Sequence, residues 1–116
     1  MSGRAFGARE RKPRVRHITR QMGAWVINGF QASFDTHMVE RRILRLYTEA
    51  IARELLEYSR TSADPLHQFS AHFAKWIDSE FGGQIRQTRK VSSNNLAGEP
   101  TQNQEWERID GATPIT

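Results

Sequence analysis

The chain contains no cysteine. That excludes disulfides, thiolate nucleophiles, iron–sulfur clusters and cysteine zinc sites, and it fits a reducing compartment. No apolar run approaches the ~20 residues of a membrane span. The opening segment MSGRAFGARERKPRVR is charged, but no apolar stretch follows it, so no secretion signal is read there. The phosphate-cradling patterns G-x-x-x-x-G-K-[ST] and G-x-G-x-x-G are missing, as is the G-x-S-x-G nucleophile elbow. Of the four His, His67 and His72 are five positions apart, about 140° around a helix, so they share no face as paired ligands would. His37, beside Asp35, reads as a helix-start residue. Glu54 and Glu57, flanked by Arg53 and Arg60, read as solvated charge pairs on a helix. The expectation is a non-enzymatic chain with no metal and no cofactor.

What is present is 116 residues, 37% hydrophobic and 26% charged, which suits one domain with a modest core. The formal charge is +4, and it is distributed unevenly. Residues 1–20 carry Arg4, Arg9, Arg11, Lys12, Arg14, Arg16 and Arg20 against Glu10, a balance of +6. Residues 21–60 cancel, residues 61–90 add +1, and residues 91–116 bring −3. Residues 1–16 offer only Phe6 and Val15 as large apolar groups, so they are expected to form a disordered arm before binding. The arm is rich in Arg, whose planar fork grips phosphate and enters a narrow minor groove. A solubilising tail is the competing reading. Attachment to a membrane surface is disfavoured, because no lipidation motif or amphipathic insert accompanies the arm.

Hydrophobic spacing places the elements. Ile18, Met22, Trp25 and Val26 predict a helix over 18–28, stopped near Gly29. Asp35 or Thr36 is placed to cap the next helix, with Phe34 stapling the turn. Val39, Ile43 and Leu46 form its inner stripe, while Glu40, Arg41, Arg42 and Arg45 lie mostly outside. Residues 36–59 read as one helix, since no Gly or Pro interrupts them, or as two, with a new start near Tyr47-Thr48. Asp64-Pro65 opens a helix that carries Leu66, Phe69, Phe73, Trp76, Ile77 and Phe81 and ends at Gly82-Gly83. Residues 84–91 read as a basic strand and 92–101 as turns. Residues 102–109 form a second short strand or a final turn that docks Trp106. The domain thus covers 17–109, and 110–116 is expected to be a loose tail. Trp25, Trp76 and Trp106 are candidates for stacking on bases, but all three sit in apolar patterns, which favours packing in the core.

Three basic groups remain as a candidate nucleic-acid surface: the arm, the helical trio Arg41, Arg42 and Arg45, and the strand trio Arg86, Arg89 and Lys90. Each phosphate they neutralise releases counterions and adds salt-dependent affinity. Bland alternatives stand beside both trios. The helical trio is a solvent face paired with Glu40 and Glu49, or the strand trio is an edge guarded by charge.

The order helix, turn, two helical segments, helix, basic strand resembles a small winged-helix or helix-turn-helix domain. That resemblance implies a helix in the major groove and a strand loop on the backbone. The string Phe34-Asp35-Thr36-His37, the helix HFAKWI, and the ending Ser93, Asn95, Gly98 and Trp106 also resemble a group of short bacterial and phage proteins. Those carry an F-x-[ST]-H start and an S-x-N-x-x-G…W ending. The likeness spans about residues 18–109; the Arg-rich arm and the Met38-Val39 pair depart from it. It implies a bacterial or phage origin and no assigned activity. The expected function is DNA binding in the cytoplasm, by a mainly helical domain with a short β element. An acidic protein partner and RNA are the alternatives. A homodimer is compatible with the helix-turn-helix reading, since such proteins often pair on two-fold sites, but no heptad seam is long enough to assign one.

Overall fold

The computed structural model describes residues 15–116. Arg4, Arg9, Arg11, Lys12 and Arg14, and with them most of the arm, lie outside the described residues. About half of the chain is helical, in four helices, and three strands form one antiparallel sheet. No described helix is long and apolar enough to cross a membrane.

Helix α1 spans Arg20–Asn28, with the Thr19 side chain accepting from Met22 N. Its buried stripe is Gly23, Ala24, Val26 and Ile27. Gly23 marks a close approach, since a Cβ there would stand 3.0 Å from Trp76 Cη2 and 3.2 Å from Phe81. Trp25 departs from its expected core position and is 68% exposed. At 100° per residue it lies about 200° around from Ile27, on the opposite side of the helix.

Strand β1, Ser33–Asp35, follows where only a turn is expected. Its pairing is non-local, opposite Glu105, Trp106 and Glu107, so no local pattern announces it. Asp35 then caps α2, Thr36–Leu46, accepting from Met38 N at 2.9 Å. Helix α3, Thr48–Thr61, is separate, which resolves the one-or-two question. The break falls at Tyr47, with φ −133° and ψ 54°, although neither Gly nor Pro is present. Leu46, at that break, is 49% exposed and leaves the inner stripe to Val39 and Ile43.

Helix α4, Pro65–Phe81, is capped by Asp64 and has Pro at its start, as the sequence predicts. It buries Phe69, Phe73, Trp76, Ile77 and Phe81. Strands β2, Ile85–Asn94, and β3, Pro100–Arg108, form a hairpin. The first of them extends further than the expected 84–91, because Asn95 closes a short loop over 95–99. Its side chain accepts from Ala97 N and Glu99 N, and Gly98 takes a φ of +83° that suits glycine. The strand order is β1-β3-β2, so β3 is central. Trp106 on β3 stacks on Phe34, which stacks on Phe30, and this ladder joins the sheet to the helical core.

Two further expectations are corrected. Glu54 is not a solvated charge. It is 1% exposed, and its carboxylate accepts from the backbone N–H of Arg16, His17 and Ile18. Three donors aimed at one carboxylate offset the cost of burying it. Val15 packs on the core beside this clamp, so the expected disordered arm is fixed at its last two residues. The tail is not loose throughout either: Ile115 is buried, and Asn28 both donates to its carbonyl and accepts from its N–H.

Candidate nucleic-acid interface

The described residues are electrically neutral. Of 17 Lys and Arg, five precede residue 15; of 13 Asp and Glu, one does, which leaves twelve of each. Any cationic site in the folded part therefore depends on how those charges pair.

The strand trio is largely compensated. Arg86 Nε donates to Glu107 at 2.7 Å, and Arg89 Nε donates to Glu105 at 3.2 Å. Both acids stand on β3, across from the cations. A bulge between Gln87 and Lys90 lets Thr88 and Arg89 share Glu105, to which Thr88 also donates at 2.7 Å. Lys90 instead lines a groove of about 650 Å³ between α4 and the hairpin. That groove mixes Lys75 and Lys90 with Asp64, Asp78 and Glu99, so it has no dominant sign. The base of the arm is compensated too. Arg16 faces Glu57 at 3.6 Å, and Arg20 reaches Glu80, donates to the Thr116 carbonyl and lies over the Phe81 ring.

The helical trio differs. Among the described residues, none of Arg41, Arg42 and Arg45 pairs with a carboxylate, although Glu49 stands four positions past Arg45 and Glu40 directly precedes Arg41. Glu40 turns inward, is 1% exposed and accepts from Ser70 Oγ at 2.6 Å. Glu49 pairs with Arg53 at 2.7 Å within α3. The break at Tyr47 takes Glu49 out of helical register with Arg45, so the i, i+4 pairing does not form. Arg41 donates to the Asn94 carbonyl at the end of β2. Arg42 lies over the Phe30 ring, 4.9 Å from its centroid. Arg41 and Arg45, with Leu44, line a depression of about 620 Å³ against the hairpin loop at Asn95, Leu96 and Gly98. A second one, of about 420 Å³, joins the trio to Phe30 and Met38. The structure thus brings Arg41 and Arg45 to the hairpin loop, with Arg42 next to them over Phe30, and leaves Arg86 and Arg89 paired along the hairpin strands.

Under the hairpin lies a polar network that sequence inspection does not foresee as a unit. His37 N donates to Asn103 Oδ1 at 3.0 Å, and Asn103 Nδ2 donates to Ser93 Oγ at 3.1 Å. Ser93 Oγ donates to Asp35 Oδ1 at 3.1 Å, and His37 Nδ1 stands 3.0 Å from the Ser93 carbonyl. With Nδ1 engaged by a carbonyl it carries the proton and is not a base for Ser93, so Asp35, His37 and Ser93 lack the order of a nucleophilic triad. Burial holds the His37 imidazole below its usual pKa, against the opposing bond to Ser93. The network ties the start of α2 to both hairpin strands. Burial also pushes the Glu40 carboxyl up to about 8, although the Ser70 bond works the other way. Glu40 is therefore mostly protonated near neutral pH and adds little negative charge beneath the Arg trio. Among the described residues no three His, Asp or Glu side chains converge as metal ligands would.

No family model matches the chain, and no curated protein or solved structure is similar to it.

Proposed function

We propose that the chain binds DNA, with the N-terminal arm and the Arg41, Arg42 and Arg45 surface on the phosphates. The observation that carries this reading is the Arg41, Arg42 and Arg45 trio, which has no carboxylate partner among the described residues and is gathered on one helix of a body whose formal charges sum to zero. Unneutralised Arg beside a hairpin loop is what counterion release requires. The arm adds five cations and one acid on the same chain. The element order, with a helix running straight into a hairpin and the strands ordered β1-β3-β2, supports a winged-helix reading in which the loop 95–99 is the wing. On that reading α4 is the groove-facing helix. Its near-neutral exposed face, with His67, Gln68 and Lys75, suits contact with base edges more than with phosphate. The likeness to short bacterial and phage proteins belongs to the same proposal.

A fluorescently labelled duplex of about two helical turns, titrated at two salt concentrations, tests the reading. Binding is expected at low salt and falls steeply with added salt. Deleting residues 1–14 weakens it on every sequence and lowers the salt slope, while the far-ultraviolet circular dichroism is unchanged. Absence of binding at low salt, or affinity that is flat with salt, overturns the proposal. A second reading, an acidic protein partner, is favoured by Leu44 and Leu46, which are 39% and 49% exposed on the same helix.

A further inference from the structure

Among the described residues, Trp25 is the large aromatic side chain that the fold leaves outside. Trp76 and Trp106 are 6% and 1% exposed, whereas Trp25 is 68% exposed. No described aromatic ring stacks on it and no described cation lies over it. An indole in water costs free energy that burial would recover, so its placement calls for a reason.

Its neighbourhood connects it to the Arg trio. Trp25 and Gly29 are one helical turn apart on the same face of α1. Gly29 lies directly against Arg42: a Cβ at Gly29 would stand 3.3 Å from Arg42 Nη1. Arg42 in turn rests over Phe30, and Arg45 and Arg41 continue the surface to the hairpin loop. The sequence of groups along the surface is therefore an open indole, a gap without a side chain, and then three guanidinium groups that pair with no carboxylate among the described residues. Single-stranded nucleic acid presents the complementary sequence, an unstacked base followed by phosphates.

We infer that Trp25 is a stacking platform for an unpaired base, with Arg42 and Arg45 holding the adjoining phosphates. The preferred ligand is then DNA that carries a single-stranded segment, not a fully paired duplex. This rests on the nucleic-acid reading above and adds the class of strand. A fully paired duplex offers Trp25 no open base face unless a base is flipped out of the stack, which is itself unfavourable. Gly29 keeps the path between the indole and Arg42 open, because a side chain there would meet the guanidinium. Duplex contact at the arm does not depend on Trp25, so the two readings separate experimentally.

The experiment uses the full chain with two probes of equal length: a blunt duplex and a duplex ending in an oligo-dT overhang of about ten nucleotides, within the span of single-strand sites. Tighter binding of the overhang probe is expected, with quenching of the solvent-accessible Trp emission, which comes from Trp25 because the other two are buried. W25A is expected to lose about 5- to 150-fold in affinity for the overhang probe. It should keep the wild-type affinity for the blunt duplex and the wild-type salt slope, since it removes no charge. W25F should restore most of the preference, because its ring still stacks. Being exposed, both substitutions should leave the fold intact, and circular dichroism checks this. Equal affinity for the two probes, or an overhang preference that survives in W25A, overturns the stacking inference while duplex binding stands. Failure of both probes to bind at low salt removes the nucleic-acid reading and this inference with it.

Discussion

The two basic trios look alike in the sequence and differ in the folded molecule. Arg86, Arg89 and Lys90 lie on a strand, and Arg41, Arg42 and Arg45 lie on a helix. Strand side chains face partners set by register, and β3 places Glu105 and Glu107 opposite the two Arg. Helix side chains find partners three or four residues along, and the acid at that spacing, Glu49 from Arg45, is diverted to Arg53, while Glu40 beside Arg41 turns into the core. A run of cations is thus a site only where the geometry withholds the counter-charge. Count alone does not distinguish the two trios; the location of four carboxylates does.

The largest test of that contrast replaces each trio. Changing Arg41, Arg42 and Arg45 together to Ala is expected to raise the Kd for duplex DNA by on the order of 10- to 100-fold at low salt. It should lower the salt slope by up to about three, at ~0.9 for each phosphate that is no longer neutralised. Removing the two strand pairs whole, R86A/E107Q/R89A/E105Q, should change both quantities far less, because those cations were already neutralised and no bare carboxylate is left behind. Equal weakening by the two sets, measured by fluorescence anisotropy across salt, would dissolve the distinction. Arg41 has a second role in this set. It donates to the Asn94 carbonyl, so R41A alone also loosens the hairpin loop. R45A, which breaks no such bond, isolates the charge.

Much of the frame is legible in the sequence. Asp64-Pro65 and Gly82-Gly83 mark α4 at both ends, and alternation with a turn-rich loop marks β2, whereas β3 reads equally as a strand or a final turn. The features that are not legible depend on partners far along the chain. Glu54 is buried because the backbone of residues 16–18, some 36 to 38 positions earlier, supplies its donors. β1 exists because β3 lies beside it. The α2–α3 break has no Gly or Pro to signal it, and it decides whether Arg45 meets Glu49. Trp25 is misassigned by spacing, because three- and four-residue intervals give α1 a stripe that includes it, whereas the buried stripe is centred on Gly23, Val26 and Ile27. The residues Phe34-Asp35-Thr36-His37, Ser93, Asn95 and Trp106 stand out as a pattern, and in the fold they cap α2, cross-link the hairpin and close its loop.

The inward turn of Glu40 yields the next test. Its carboxyl is raised to about 8 in the folded state, above the ordinary carboxylate value that it takes in the unfolded chain. The folded state therefore binds the proton more tightly, and stability is highest below the unfolded pKa. It falls as pH rises toward about 8 and levels off above that. The melting temperature is expected to drop between about pH 5.5 and about pH 9, by at least about 4–8 °C if ~1 kcal/mol is lost. E40Q keeps a hydrogen-bonding side chain for Ser70 without a titratable group, so its melting temperature should change less over the same interval. A wild-type profile that rises across this interval, or one that E40Q reproduces in full, places Glu40 outside the cause. The test bears on the trio directly: an ionised Glu40 would return one negative charge to the helix that carries Arg41.

The smallest expected effect is a gain. If Arg86 and Arg89 are silent because β3 neutralises them, E105Q/E107Q should release them. Both substitutions keep the side-chain shape and leave an acceptor oxygen for the bonds that Arg86, Thr88 and Arg89 make. In each pair the Arg is exposed and the Glu half-buried, and such surface pairs contribute little to stability, so the fold should tolerate the change. The duplex salt slope is then expected to steepen by up to about two, with affinity at low salt rising severalfold. The overhang preference should not move, since the hairpin cations are separate from Trp25. A slope that stays at the wild-type value would mean that β2 points away from the bound strand, and that its position in the fold, not its pairing, keeps it out of the interface. That outcome would leave the α2 surface as the contact and remove the hairpin strands from it, while the loop 95–99, held by Arg41, stays at its edge.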